Sequence, residues 1–278
     1  MKIENANCLV TGSSSGIGRA ISLALAQAGA RVWATARRPE AIDDLKKQGM
    51  SVLQLDVRDD NSVRRAVAVT GVVDVLVNNA GYGLYGAVEE VGDAELLEQF
   101  QTNFFGPWRL CRAVLPGMRT ARSGLIVNIS SFTGVVPFAN GGPYRTSKYA
   151  LEALSGTLHF EVSHFGIRVI DAQIGRVATR FGDSMQLAAA ATAGNADYSA
   201  MRDSVKRAFP NMCPSSMSPT HVAEKIVNEM SKDKGPYRIA IGDDAKRIIA
   251  MGAAGDAAYE RFVVEQLGFD WHPLDPAG

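Results

Sequence analysis

The chain has 278 residues, 46% of them hydrophobic, with 29 Lys+Arg balanced by 29 Asp+Glu. A chain of that size and apolarity can close one large core, and a zero net charge excludes the broad basic field that nucleic acid or an anionic membrane surface would need. Cys8, Cys111 and Cys213 are too few and too scattered for a disulfide framework or a thiolate metal site, and Met1-Lys2-Ile3-Glu4-Asn5 begins no apolar signal; a soluble, reducing, cytoplasmic setting with no metal and no membrane span is expected.

Short β-branched runs at Asn7–Val10, Arg31–Thr35, Ser51–Asp56, Val72–Val77, Gly124–Ser130 and Arg168–Ile174 predict strands. They are apolar nearly throughout, as strands covered on both faces are. Helical patterns lie between most of them; in Gly16–Ala28, the residues Ile17, Ala20, Ile21, Ala24 and Ala28 share one face. This alternation predicts βαβ units in a doubly wound parallel α/β sheet with helices on both faces, about seven strands in all. No repeat or low-complexity linker interrupts the chain, so residues 1–278 read as one domain. After Gly175 the pattern weakens. Residues 176–217 are rich in Ala, Ser and Met, show no clear strand and look helical at Ala188–Ala191. A long insertion beside a strand's carboxyl end predicts a lid. A helix then opens with Ser218 as N-cap and Pro219 at the first helical position, followed by a last strand near Arg238–Ile241 and further helix.

The first strand runs into Thr11-Gly12-Ser13-Ser14-Ser15-Gly16-Ile17-Gly18. Gly12 permits a tight turn. Gly16 and Gly18 let the backbone approach a diphosphate and let the helix pack on the sheet, and the helix N-terminus offers free N–H groups. Between a strand and a helix, this turn predicts a dinucleotide cradle on a Rossmann fold, with Gly12, Ser14, Gly16, Ile17 and Gly18 around the diphosphate. At the end of the second strand, where a carboxylate would hold the ribose hydroxyls of NAD, stand Ala36, Arg37 and Arg38. Loss of the acid and gain of guanidinium favour NADP(H), with NAD(H) as the alternative. Asp56, followed by Val57, ends the third strand, where it can accept from an adenine amino group or serve as a turn aspartate.

The fifth predicted strand ends in Asn128-Ile129-Ser130-Ser131, on the sheet edge where open α/β folds bind ligands. Tyr144 and Lys148 follow at i and i+4, on one helical face. A nearby ammonium and a cationic nicotinamide would draw a tyrosine down from about 10 toward the range useful for acid–base work. Asn103 precedes Phe104-Phe105-Gly106-Pro107; Pro107 has no N–H, so the Asn103 carbonyl loses its helical partner at a kink suited to a bound water.

Taken together, Thr11–Gly18, Asn78-Asn79-Ala80-Gly81, Asn103, Ser131 and Tyr144/Lys148 resemble the short-chain dehydrogenase/reductase family, strongly over residues 5 to 180 and loosely beyond. The resemblance implies Tyr144 as general acid/base, Ser131 as the residue orienting the substrate, and Lys148 as ribose ligand and pKa-lowering cation. It implies a proton-relay water at Asn103, Asn79 and Gly81 beside the cofactor, and Thr179 at the nicotinamide carboxamide. It also implies a homodimer or homotetramer through the helices carrying Asn103 and Tyr144. The chain departs from the family at Ile174-Gly175, where Pro-Gly is common. Val135, Pro137, Phe138, Tyr149, Tyr82, Tyr85, Phe181, Met185 and Leu187 suggest an apolar pocket for a bulky ketone or alcohol of steroid or retinoid type, while Arg176 and Arg180 offer an anionic alternative. Two rival readings are a non-catalytic NADP-sensing protein and an isomerase or dehydratase that retains NAD; the intact Tyr144/Lys148 pair counts against the first, and the Gly12–Gly16 spacing with Arg37 against the second.

Overall fold

The computed structural model describes residues 2–179 and 185–270. Strand β1 (Asn7–Val10), helix α1 (Gly16–Gln27), β2 (Arg31–Ala36), β3 (Ser51–Gln54), α2 (Asp60–Thr70) and β4 (Val75–Asn78) alternate as predicted. A short β5 (Gly83–Tyr85) precedes α3 (Asp93–Phe100), α4 (Gly106–Ala121), β6 (Gly124–Ser131), α5 (Gly142–Val162) and β7 (Ile167–Ile174). Beyond them lie β8 (Met185–Leu187), α6 (Ala189–Ala193), α7 (Ser199–Met212), α8 (Pro219–Met230), β9 (Arg238–Ile241), α9 (Asp243–Ala253) and α10 (Asp256–Arg261).

Seven strands form one parallel sheet in the order β3-β2-β1-β4-β6-β7-β9. Strand alternation divides its side chains between two cores. Cys8, Val10, Val75, Val77 and Ile170 pack with Ile21 and Leu25 of α1 and Val222 and Ile226 of α8. Leu9, Leu76, Ile126 and Val169 face Leu110 and Val114 of α4 and Leu151 and Leu158 of α5. A third cluster, which includes Ala87, Phe132, Val136 and Phe269, gathers α7, α9 and α10 against the segment after β6. The strand order reverses between β1 and β4, which places the ligand crevice of such a sheet beside the ends of those strands.

The structure corrects the prediction in particular places. The fourth strand begins at Val75 rather than Val72, because Gly71 turns with φ +70° and Val72 is exposed. The insertion after Gly175 does contain a strand: β8 pairs in parallel with β5, Gly83 opposite Met185 and Tyr85 opposite Leu187. Three-residue strands carry too little periodicity to be read in advance. Residues 199–212, unassigned in the pattern, form α7, with Pro210 inside its last turn. Ser218 caps α8 as expected, its hydroxyl accepting from His221 N at 3.1 Å. Among the described residues no helix is long and apolar enough to cross a membrane, and the three cysteines are free and buried.

Candidate active site

The turn after β1 is shaped for close backbone approach. Gly12 and Gly16 have φ of +70° and +58°, in the left-handed region that glycine occupies without strain. A Cβ on Gly12 would lie 2.9 Å from Ala80 Cα, and one on Gly18 would collide with the Asn79 side-chain amide and the Gly12 carbonyl. Asn79 is the clamp that makes this packing tight: its Nδ2 donates to the Thr11 and Gly12 carbonyls at 2.9 and 3.2 Å. Thr11 Oγ1 in turn accepts from the Asn79 and Ala80 amides. Ser15, the N-cap of α1, makes no side-chain capping bond, so the positive end of α1 faces the turn without an oxygen of its own. A glycine-lined cradle at an uncapped helix N-terminus fits a dinucleotide diphosphate. Ser14 is exposed and Ile17 half-buried on this turn. Thr179 packs across it, its Cβ 3.3 Å from where a Gly16 Cβ would stand.

Ala36 is buried at the end of β2, and Arg37 and Arg38 beyond it are exposed. No acid occupies the β2 terminus. Asp56 accepts from Arg58 through Nε and the backbone amide, both at 3.0 Å, and through Nη2 at 2.8 Å. That bonding holds its carboxyl below the usual carboxylate range. The contacts within the chain therefore make Asp56 a turn aspartate, beside a groove of about 480 Å³ lined also by Glu98, Gln101 and Arg109. Val57 packs against Gly106.

The reacting corner is built on β6 and α5. Tyr144 is buried, and its hydroxyl lies close enough to Ser131 and Thr133 for both to act on its proton. Ser131 Oγ also donates to the Ile174 carbonyl at 3.4 Å. Tyr85 stacks on Tyr144 with ring centroids 6.0 Å apart. Lys148 Nζ donates to the Ile129 carbonyl at 2.7 Å and lies 5.8 Å from the Tyr144 ring centre. Burial lowers the Lys148 ammonium to about 8. Burial, reinforced by Tyr85, also pushes the Tyr144 phenol well above its ordinary value; neighbouring Ser131, the Arg145 charge and Thr133 oppose it. Desolvation dominates at Tyr144, and the cation that acts against it sits at Arg145.

Asn103 is buried in a π-helical stretch, Gln101–Phe105, where Gly106 N bonds to Gln101 O. The irregularity foreseen at Pro107 takes the form of an i→i+5 turn, a feature often found at functional sites. Its side chain grips the segment after β4: Oδ1 accepts from Tyr82 N at 3.2 Å, and Nδ2 donates to Tyr82 O and Ser147 Oγ at 3.0 and 3.1 Å. Gly81 lies against it, a Cβ there being 3.1 Å from Asn103 Oδ1.

Three contributors went unforeseen. Thr133 follows Ser131 by two positions, a signal visible in sequence but without a partner until the fold supplies Tyr144. Asp244 at the start of α9 holds the turn after β7: its Oδ2 accepts from Arg176 N at 2.7 Å, and a Cβ on Gly175 would fall on its carboxylate. Arg145 donates to the Val136 carbonyl at 2.9 Å and lies over the Phe138 ring. Arg176 is drawn away from a substrate role, donating to the Cys213 carbonyl and stacking over Phe209. Arg180 and Phe181 lie outside the described residues.

A glycine cradle, a buried Ser–Tyr–Lys corner and a parallel sheet define a dinucleotide-dependent oxidoreductase. The family model for short chain dehydrogenases matches residues 6–189, and the chain belongs to that family. It is 37% identical over 245 residues to a 3-ketodihydrosphingosine reductase of Bacteroides thetaiotaomicron, covering 84% of this chain and 87% of that one. It is 36% identical over 246 residues to human retinol dehydrogenase 8, covering 83% and 79%. A crystal structure of a short-chain dehydrogenase from Streptomyces avermitilis superposes with a TM-score of 0.80 at 37% identity, covering 95% of this chain and 99% of that one. Two further solved structures, a metagenomic short-chain oxidoreductase at 26% identity and TM-score 0.68 and a serine dehydrogenase at 27% and 0.72, are complexes with NADP.

Proposed function

We propose that the protein interconverts a ketone or aldehyde and the corresponding alcohol with NADP(H), on a bulky apolar substrate. The observation that carries this reading is the Tyr144 hydroxyl, buried at the carboxyl end of β6 between Ser131 and Thr133. A nicotinamide cofactor, when bound, supplies or accepts the hydride. Gly12, Ser14, Gly16, Ile17 and Gly18 would hold its diphosphate, and Arg37 and Arg38 a 2′-phosphate. Asp56 and Val57 would border the adenine, Asn79, Gly81 and Thr179 the rest of the cofactor, and Lys148 the ribose.

In reduction the Tyr144 phenol would donate its proton to the carbonyl oxygen; in oxidation the phenolate would accept the hydroxyl proton. Ser131 would donate a hydrogen bond to the same oxygen and fix its position. Asn103 would hold the water that returns protons to the pair. The lid would close over Tyr82 and Tyr85, since β8 pairs with β5 and Tyr85 stacks on Tyr144. The names of the two relatives, a 3-ketodihydrosphingosine reductase and a retinol dehydrogenase, support a large apolar substrate. Exposed Phe105, Trp108 and Tyr149 on α4, α5 and the stretch before α4 favour pairing of two copies there; monomers alone in sedimentation velocity would remove that part of the proposal.

The test is a panel of long-chain and cyclic ketones and alcohols assayed with both cofactors at the nicotinamide absorbance. Turnover with NADPH is expected. Binding of NADPH without turnover of any substrate would replace this reading with a cofactor-sensing role, and NAD held tightly by the purified protein would point to isomerase or dehydratase chemistry.

A further inference from the structure

Behind Tyr144 and Lys148 the sheet is polar where its other face is not. Asn128 and Ser130 of β6 and Asp171 and Gln173 of β7 alternate onto the α5 side, in register as Asn128 with Asp171 and Ser130 with Gln173. Helix α5 meets them with Lys148, Glu152 and Ser155, spaced i, i+4 and i+7 on one stripe. All seven residues are buried.

Glu152 is fully engaged. Oε1 accepts from Gln173 Nε2 at 2.9 Å and Ser130 Oγ at 3.2 Å, and Oε2 pairs with Arg238 Nε at 2.9 Å. The Arg238 side chain is 47% exposed on β9, so it connects this interior acid with solvent. Asp171, in register with Arg238, has no exposed surface at all. Neither of its carboxylate oxygens has a hydrogen-bond partner of good geometry, although Glu152, Ser155 and Lys148 lie within its influence. A buried carboxylate left in that position is costly and takes a proton instead. Arg238 pairs with Glu152, whereas among the described residues nothing bonds the Asp171 oxygens, so the proton belongs on Asp171.

We propose that Asp171 carries a proton at neutral pH and that this proton governs the charge of Lys148, making Asp171 a positioning residue for that lysine. Lys148, Glu152, Asp171 and Arg238 are the charged groups of α5, β7 and β9 that meet at this seam; Asn128 and Ser130 of β6 are neutral. Burial and Glu152 both push the Asp171 carboxyl up, while Lys148 draws it down. Both acids raise Lys148 against the desolvation that lowers it. As pH rises, Asp171 gives up its proton and its new negative charge retains the ammonium. The consequence for turnover rests on the roles assigned above to Tyr144 and Lys148; the linkage itself does not.

The experiment is an NMR titration of protein carrying 13C-ε-labelled lysine, with the Lys148 signal assigned by its loss in Lys148→Arg. Asp171→Asn keeps a donor of the same shape but cannot ionise. The Lys148 midpoint is expected to fall by about one pH unit in this variant and in Glu152→Gln, with the alkaline limb of kcat moving in parallel. An unmoved midpoint overturns the proposal, and so does lost stability without a shift, the mark of a structural role alone. Should both variants fail to fold, 13C-carboxyl labelling of aspartate in the unaltered protein decides: Asp171 is expected to be protonated at neutral pH, and an ionised signal overturns the proposal. A shifted Lys148 midpoint together with undiminished turnover by Tyr144→Phe would leave the linkage standing and remove the functional reading instead.

Discussion

The two halves of the site are made of different material. The diphosphate cradle is backbone, and it works through side chains that are missing: Gly12 and Gly18 leave the space that Ala80 and the Asn79 amide fill. The reacting corner is the reverse, a set of buried side chains in which Tyr144 sits beside Ser131 and Thr133 and Lys148 is anchored on a strand carbonyl. The first half should fail when atoms are added. The second should fail when one atom is removed or one charge is moved.

The largest expected effect follows from removing one oxygen. Tyr144→Phe should lower kcat by about 10²- to 10⁴-fold, the usual worth of a positioned acid or base, while the NADPH dissociation constant stays within about twofold. Steady-state rates and cofactor fluorescence would show both, and unchanged turnover would erase the contrast. Adding atoms gives the complementary outcome. Gly18→Val should weaken NADPH binding by at least about 10²-fold and cost about 1–3 kcal/mol of stability through overpacking; calorimetric binding near the unaltered value would show that the cradle is not built on absence.

Arg37→Asp with Arg38→Ala probes the rim of the cradle, where charge and not space should matter. The ratio of kcat/KM for NADPH to that for NADH is expected to fall about 10- to 100-fold, since charge-assisted bonds to the phosphate are lost and an acid opposes it. A ratio that holds steady makes the arginines bystanders. The smallest effect is on alkaline stability. The folded protein keeps the Tyr144 proton above the ordinary value of 10.0, so above that pH the native state binds more protons than the unfolded chain and loses stability as pH rises. Tyr144→Phe lacks this slope, and its denaturation midpoint should fall less steeply above pH 10. Equal slopes would mean that the phenol is less desolvated than its burial implies.

The cradle was the more legible half because its signal is local. Three glycines between an apolar strand and an amphipathic helix state their purpose within eight residues, and the seven strands of the main sheet are readable for the same reason. Tyr144, Lys148, Ser131 and Asn103 stand out only in combination, through the family they jointly resemble; the Tyr144/Lys148 spacing by itself says little. What surrounds them was not legible. Arg145 is simply the residue after a tyrosine until the fold brings Val136 and Phe138 to it. Asp171 and Gln173 interrupt an apolar strand, a visible oddity whose meaning depends on which helix covers that face. The β5–β8 pair is shorter than any period that could announce it.

The turn after β7 has one more consequence, for how such chains can diverge. The Asp244 carboxylate fills the space that a side chain on Gly175 would need, approaches Gly242 as well, and accepts the Arg176 amide. None of these positions can change alone. A side chain at 175 requires the loss of the acid at 244, and losing that acid frees the strand end that carries the Ser131 acceptor at Ile174. Two segments far apart in the chain therefore form a single unit of inheritance, and drift in the C-terminal helices is felt at the sheet edge where the chemistry is proposed to occur.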